Sequence, residues 1–186
     1  MPMFTHDMHQ CFLSGAEEAF GYSKDKPTRF LEVGTFEGQT ACWMLDNILT
    51  HPLSTYDGVE ISEERFRITC KNLSAFPNHK WFVLHGESSK ELEALWRRDI
   101  RYDAIYVDGD HREEEAHKDA VACWNLLSPG GVILFDDYAL KESSLDPNVK
   151  FNVERAVHRM LSGLPRGSEY VAYLAKNGYQ YIVRKV

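Results

Sequence analysis

Leu31-Glu32-Val33-Gly34-Thr35-Phe36-Glu37-Gly38 is the stretch that decides the fold. Arg29–Val33 reads as a short strand closed by Gly34, and Gly38 opens a helix running to about Leu49, where His51-Pro52 stops it. Gly34 permits a sharp turn and lets a ligand approach the backbone. The free N–H groups of the helix that starts at Gly38 point toward whatever is bound there.

Outward from this turn the strand–helix unit repeats. Tyr56–Glu60 reads as a strand, and Ser62 caps a helix carrying Phe66, Cys70 and Leu73. Trp81–Leu84 is the third strand, and Ser88 and Ser89 precede a helix through Leu92, Leu95 and Trp96. Ala104–Val107 is a wholly apolar strand ending at Asp108. The helix after it buries Ala116, Ala120, Trp124 and Leu127, until Pro129-Gly130-Gly131 stops it and Val132–Phe135 forms a fifth strand. A helix over about 152–161 leads to two strands, Tyr170–Ala175 and Tyr179–Arg184, around Lys176-Asn177-Gly178, a hairpin signal. Before the first strand, Met8, Cys11, Phe12, Ala16, Ala19 and Phe20 recur at helical spacing. The expectation is one α/β domain over 1–186, a doubly wound, mostly parallel seven-stranded sheet ending in an antiparallel hairpin. Its N-terminal helix, within 1–25, is expected near the ligand end.

Ligands bind at the carboxyl ends of such strands. The spacing after the first strand is not G-x-G-x-x-G, so a dinucleotide loses ground. Glu32 suits a cationic amino-acid moiety better than a phosphate, and Glu60 ends the second strand, where a carboxylate can accept both hydroxyls of a ribose. The bland alternative is an ordinary strand–helix turn with a buried glutamate.

Glu32-Val-Gly-Thr-Phe-Glu-Gly38 resembles the first motif of class I S-adenosylmethionine-dependent methyltransferases, whose fold is Rossmann-like. Glu60, followed by Ile61, is similar to their ribose-binding acid, and Gly86-Glu87-Ser88 resembles the stretch beside the adenine. The resemblance covers roughly residues 28–138. It implies a cofactor site of Glu32, Gly34, Thr35, Phe36, Gly38, Glu60, Ile61, Gly86, Glu87, Ser88 and Asp108.

Two acidic clusters follow consecutive strands, Asp108-Gly109-Asp110-His111 and Phe135-Asp136-Asp137-Tyr138, and would face one crevice if those strands are neighbours. Carboxylates gathered in one crevice repel one another, so some protonate or a cation offsets them. Oxygen ligands favour Mg²⁺ or a similar hard ion. Helix capping by Asp108 or Asp110 would account for one acid per strand end, not for four acids and a histidine. The pattern resembles the metal-dependent O-methyltransferases, both catechol-type and macrolide-sugar enzymes. That resemblance implies Asp108, Asp136 and Asp137 as metal ligands and His111 as catalytic base beside Asp108. The catechol-type branch has a lysine near His111 and an asparagine where Asp137 stands, which sets this chain nearer the sugar-modifying side.

The remaining features narrow the partners. Twenty-eight acidic against 21 basic side chains give a net charge of −7 without a basic patch, so nucleic acid is a poor partner. No apolar run reaches the roughly 20 residues of a membrane span, and the N-terminus lacks a signal-peptide pattern, so a cytoplasmic protein is expected. Cys11, Cys42, Cys70 and Cys123 lie in or beside helices without CxxC spacing and read as reduced thiols. His6, His9, His51, His79, His85, His117 and His158 form no ligand motif, and Trp43, Trp81, Trp96 and Trp124 fit packing. The expected activity is O-methylation of a hydroxylated small molecule. The Tyr138–Asn148 loop and the N-terminal helix would wall the acceptor pocket, which is open or completed by a second subunit in a homo-oligomer. A metal-independent N- or C-methyltransferase, a non-catalytic cofactor-binding module and a metal-dependent hydrolase-like relative are the alternatives.

Overall fold

Alternate residues of strand β1 (Arg29–Val33) serve two separate cores. Phe30 packs with Tyr56, Ala104, Val132 and Ile182 on one face, while Leu31 and Val33 pack with Ile105, Val107 and Ile133 on the other. A strand buried on both faces belongs in the middle of a parallel sheet. The computed structural model, which describes residues 14–141 and 150–186, places it there.

The chain is helical over 14–20 (α1), and a 3-10 turn spans Gly21–Asp25. After β1 come α2 (Gln39–Asn47), β2 (Thr55–Glu60), α3 (Glu63–Leu73), β3 (Lys80–His85), α4 (Ser88–Arg97) and β4 (Tyr102–Val107). They are followed by α5 (Glu113–Leu126), β5 (Leu127–Phe135), α6 (Val153–Ser162), β6 (Tyr170–Leu174) and β7 (Tyr181–Lys185). The sheet order is β3-β2-β1-β4-β5-β7-β6; the first five are parallel, and β7 runs antiparallel to both neighbours. Residues of α1 and α2 fill the core on one face, with α3 beside them, and residues of α4, α5 and α6 fill the other. The order reverses between β1 and β4, so the loops after these two strands diverge and leave a crevice at their carboxyl ends.

The expected mostly parallel seven-stranded sheet with its terminal hairpin is therefore present. Two local readings change. Leu127 is not the last core residue of a helix but the first of β5, opposite Tyr102, and Pro129-Gly130-Gly131 loops out before pairing resumes at Val132 opposite Ala104. Gly130, at φ +74°, supplies the left-handed bend of that bulge. Trp96 is 50% exposed on α4 rather than packed against the sheet. The hairpin turn is longer than a two-residue connection. The Gly178 N–H donates to Ala175 O and the Ala175 N–H to Gln180 O, with Gly178 left-handed after the turn.

In α1, Ala16, Ala19 and Phe20 are buried as the periodicity requires; Met8, Cys11 and Phe12 lie outside the described residues. Cys42, Cys70 and Cys123 are free thiols on helices. Among the described residues no helix is long and apolar enough to cross a membrane.

Candidate active site

The carboxyl ends of the strands are stitched together by one row of backbone bonds. Gly86 N–H donates to Glu60 O, Gly34 N–H to Val59 O, Asp108 N–H to Val33 O and Asp136 N–H to Val107 O, at 2.9–3.0 Å. This row brings the loops after all five parallel strands to one edge.

The loop after β1 is fixed from two sides. Gly34, at φ +88°, lies so close to the next loop that a Cβ there would stand 2.2 Å from Asp108 O. On the other side α3 grips the turn: Thr69 Oγ1 donates to Phe36 O and Asn72 Nδ2 to Glu37 O, both at 2.8 Å. Gly38 leaves α2 room beside Thr69. Thr35 is buried with its hydroxyl 3.4 Å from that of Thr69.

Glu60 is the keystone of this half. Its Oε2 accepts the Phe36 N–H and its Oε1 the Ser62 N–H, each at 2.8 Å. Each oxygen keeps a second lone pair for a further donor. Ile61 beside it and Phe36 opposite expose apolar side chains, and the Arg65 guanidinium lies 4.1 Å above the Phe36 ring.

Glu32 sits deeper than its motif suggests. It is 1% exposed and accepts the Tyr56 hydroxyl proton, and Gly58 on β2 leaves the space that hydroxyl occupies. Burial pushes the Glu32 carboxyl well above the usual carboxylate range, with Asp108 and Glu60 adding to the shift and Tyr56 opposing it. It is a hydrogen-bonded acid under the loop.

Gly86-Glu87-Ser88 opens α4, and its serine has a partner that sequence reading missed. Ser88 Oγ donates at 2.6 Å to Asp119 Oδ1 on α5, and Asp119 Oδ2 lies 3.0 Å from where a Cβ on Gly109 would be. One buried carboxylate thus touches the loops after β3 and β4. Its place on the buried face of α5, in line with Ala116, Ala120 and Cys123, is the signal that could have found it. Burial is the larger effect and pushes its carboxyl up to about 6, against the Ser88 bond. Between roughly pH 3.9, the unfolded value, and pH 6 the folded chain then holds more protons than the unfolded one. Stability therefore falls as pH rises through that window. Asp119→Asn, which keeps an acceptor for Ser88, is expected to stabilise the fold at pH 8 by about 1–3 kcal/mol and to change little at pH 4. Thermal melts at the two pH values check this; a Tm lowered equally at both would contradict it.

The acids after β4 and β5 divide three ways. Asp108, His111 and Asp137 converge, with one donor atom from each lying within 4.8 Å of the others. His111 Nε2 stands 3.2 Å from Asp108 Oδ1 and 3.3 Å from Asp137 Oδ2. Asp136 faces inward: the Tyr106 hydroxyl donates to its Oδ2, and Gln180 Nε2 and the Asp137 N–H donate to its Oδ1. Asp110 turns outward, accepting the Arg112 N–H and pairing with its guanidinium. Neither Asp108 nor Asp110 caps α5, so capping does not account for the cluster.

Electrostatics follow from the crowding. Burial, then the charges of Asp108 and Asp137, push Asp136 up to about 7, while burial raises Asp108 against the His111 bond. Burial alone would lower His111, but the Asp108 hydrogen bond and the charges of Asp108, Asp137 and Asp136 hold it above its ordinary value. The Phe151 ring stands edge-on to His111, 5.2 Å between centroids, and the Asn152 N–H donates to His111 O, so the segment leading into α6 fixes the histidine from behind. Tyr179, from the hairpin, donates its hydroxyl to Asp137 Oδ1.

Helix α1 reaches the same end, where Gly15 packs on Gln180 and Asn177 and Glu18 accepts the Lys176 N–H. The Tyr138–Asn148 loop lies mostly outside the described residues; Tyr138 itself turns under α6, bonding His158 and stacking on Tyr181.

A family model described as a methyltransferase domain matches residues 31–138, from the strand before the glycine turn to the tyrosine after the paired aspartates. The chain belongs to this methyltransferase family. The domain is also 29% identical over 140 residues, 73% of its length, to an uncharacterized protein of Acanthamoeba polyphaga mimivirus; the match spans 62% of that relative. Three solved methyltransferases share the fold. The O-methyltransferase TomG of Streptomyces achromogenes, involved in tomaymycin synthesis and solved with S-adenosylmethionine, superposes at a TM-score of 0.69 and 20% identity, covering 100% of this chain and 83% of that one. The Bacillus cereus O-methyltransferase, solved with S-adenosylhomocysteine, gives 0.67 and 20%, covering 100% and 84%. MycE of the mycinamycin pathway, solved with Mg, S-adenosylhomocysteine and mycinamycin VI, gives 0.64 and 15%, covering 91% of this chain and 47% of that one. The methyltransferase domain thus meets the fold expected from its first loop.

Proposed function

We propose that the chain works as one domain transferring the methyl group of S-adenosylmethionine to an oxygen of a hydroxylated small molecule, with a divalent cation at the acceptor end. The observation that carries this is the junction of the two half-sites. The Gly34 turn packs directly on the backbone of Asp108, so a ligand lying across the glycine loop ends beside the Asp108–His111–Asp137 cluster.

The residues present fit the cofactor. Glu60 retains acceptor capacity for two ribose hydroxyls, Ile61 and Phe36 offer apolar walls, and Gly86, Glu87 and Ser88 border the adenine end. Gly34, Thr35 and Gly38 shape the loop, and Glu32 supports it from below through Tyr56. They also fit a cation: Asp108 and Asp137 offer hard oxygen ligands, and Asp136 a third carboxylate if its Oδ2 leaves Tyr106 while Oδ1 stays on Gln180. The sulfonium supplies an activated methyl group, and a hard divalent ion lowers the pKa of an acceptor hydroxyl and fixes its angle. With its Nε2–H directed to Asp108, which orients the ring and stabilises the imidazolium, His111 would take the acceptor proton on its other ring nitrogen, Nδ1. The net charge of −7 supports a small-molecule acceptor over nucleic acid.

The test is transfer of labelled methyl to a panel of vicinal-diol and catechol acceptors, with Mg²⁺ and again with a chelator. Transfer to oxygen that the chelator stops is the expected result. One observation favours a second reading, a metal-independent methyltransferase: every acid of the cluster already has a protein donor. Transfer that survives the chelator, above all to nitrogen or carbon, would favour that reading.

A further inference from the structure

The β5–β7 ladder pairs Val132 with Arg184, Ile133 with Val183, Leu134 with Ile182 and Phe135 with Tyr181. Carried two residues further, this register sets Asp136 opposite Gln180 and Asp137 opposite Tyr179. The backbones part there, since Gln180 O accepts from Ala175 within the hairpin, yet the side chains continue the pairing. Gln180 Nε2 donates to Asp136 Oδ1 at 2.9 Å, and the Tyr179 hydroxyl donates to Asp137 Oδ1.

We propose that Tyr179 and Gln180 are positioning residues of the hairpin, which hold the two adjacent aspartates of the proposed cation site in place. The inference rests on the cation reading of the preceding section.

Three features argue that the clamp is built rather than incidental. Gln180 is fully buried with both ends of its amide used: Oε1 accepts from Asn177 Nδ2 while Nε2 serves Asp136. Asn177 Oδ1 in turn accepts the backbone N–H groups of Tyr179 and Gln180, which locks the turn that presents them. On α1, the missing side chain of Gly15 provides the room that Gln180 Oε1 occupies, 1.8 Å from where a Cβ would be. Asp137 itself has φ +50°, a left-handed conformation uncommon for a residue other than glycine, so its carboxylate direction depends on what holds it. With Oδ1 held by Tyr179, Oδ2 is the oxygen presented to His111 and the cluster. A carboxylate oriented by such an outer hydrogen bond is a better ligand, and losing that bond typically costs about 10–100-fold in metal affinity.

The experiment is calorimetric titration of the full chain with Mn²⁺, and separately with S-adenosylhomocysteine, for wild type, Tyr179→Phe and Gln180→Met. Tyr179→Phe keeps the ring and removes only the hydroxyl. It is expected to weaken Mn²⁺ about 10–100-fold while leaving cofactor-product affinity and Tm near wild type, a split that a general structural role would not produce. Gln180→Met should weaken Mn²⁺ in the same sense. Unchanged or tighter Mn²⁺ binding by Tyr179→Phe would overturn the positioning role while leaving the cation site standing. A wild type that binds S-adenosylhomocysteine but no Mn²⁺ would remove the cation site, and the positioning role with it.

Discussion

His111→Asn is expected to lower kcat for methyl transfer to a hydroxyl acceptor by about 10²–10⁴-fold, the usual contribution of a general base, with S-adenosylhomocysteine affinity unchanged. The imidazole is held by Asp108 and Asp137 at Nε2 and by the Phe151 ring beside it, while the Asn152 N–H fixes the backbone carbonyl of the same residue. Asparagine retains polarity and approximate size, so packing is largely kept while the titrating group is lost. The pH profile carries a second expectation. A base acts when deprotonated, and the hydrogen bond and charges around His111 outweigh its burial and raise its pKa. The acid limb of kcat in the wild type should therefore lie above the roughly 6.5 of a free histidine and should disappear in the variant. Wild-type kcat in His111→Asn would remove the residue from the chemistry.

Gly34→Ala is the second large effect, and it acts on the scaffold. The added Cβ would meet Asp108 O at 2.2 Å, Asp108 C at 2.7 Å and Gly109 Cα at 2.9 Å, all backbone atoms that cannot rotate away. The φ of +88° adds strain of its own for any side chain. Left-handed strain of about 1–3 kcal/mol and overpacking of a similar size together imply a Tm lowered on the order of 10 °C for a chain of this length. Forcing the β1 and β4 loops apart would also separate the two half-sites, so S-adenosylhomocysteine binding should fall with stability. A melt within a degree or two of wild type would show that the turn is looser than its geometry implies.

The sheet was legible because its signals are local. Apolar strands ending in glycine or aspartate, helices with periodic apolar faces and an Asn-Gly turn specify β1 to β7 without tertiary information. The bulge at Pro129-Gly130-Gly131 was not legible, because both residues at its ends pair with β4 only after the sheet has assembled. The crevice was legible in outline: Asp108 and His111, three residues apart, do meet, and Asp137 joins them. The polar residues that hold the acids were hidden by their setting. Tyr106 sits inside the wholly apolar strand Ala104–Val107, yet strand alternation puts it on the face of Asp108, and its hydroxyl reaches Asp136. Tyr179 and Gln180 lie in a segment read as a strand, and their partners are 42 and 44 residues away in sequence. Only the antiparallel register of β5 and β7 connects them.

Titration of the purified chain with S-adenosylhomocysteine, for wild type and Glu60→Ala, tests the central claim most directly. Glu60 holds the Phe36 and Ser62 N–H groups and faces the proposed ribose position, so its removal dismantles the loop and takes away the ligand's acceptor together. The expected result is saturable one-to-one binding by the wild type and a loss of roughly 100-fold or more, on the order of two charge-assisted hydrogen bonds, in the variant. A correctly folded wild type that shows no binding would contradict the methyltransferase reading of the crevice.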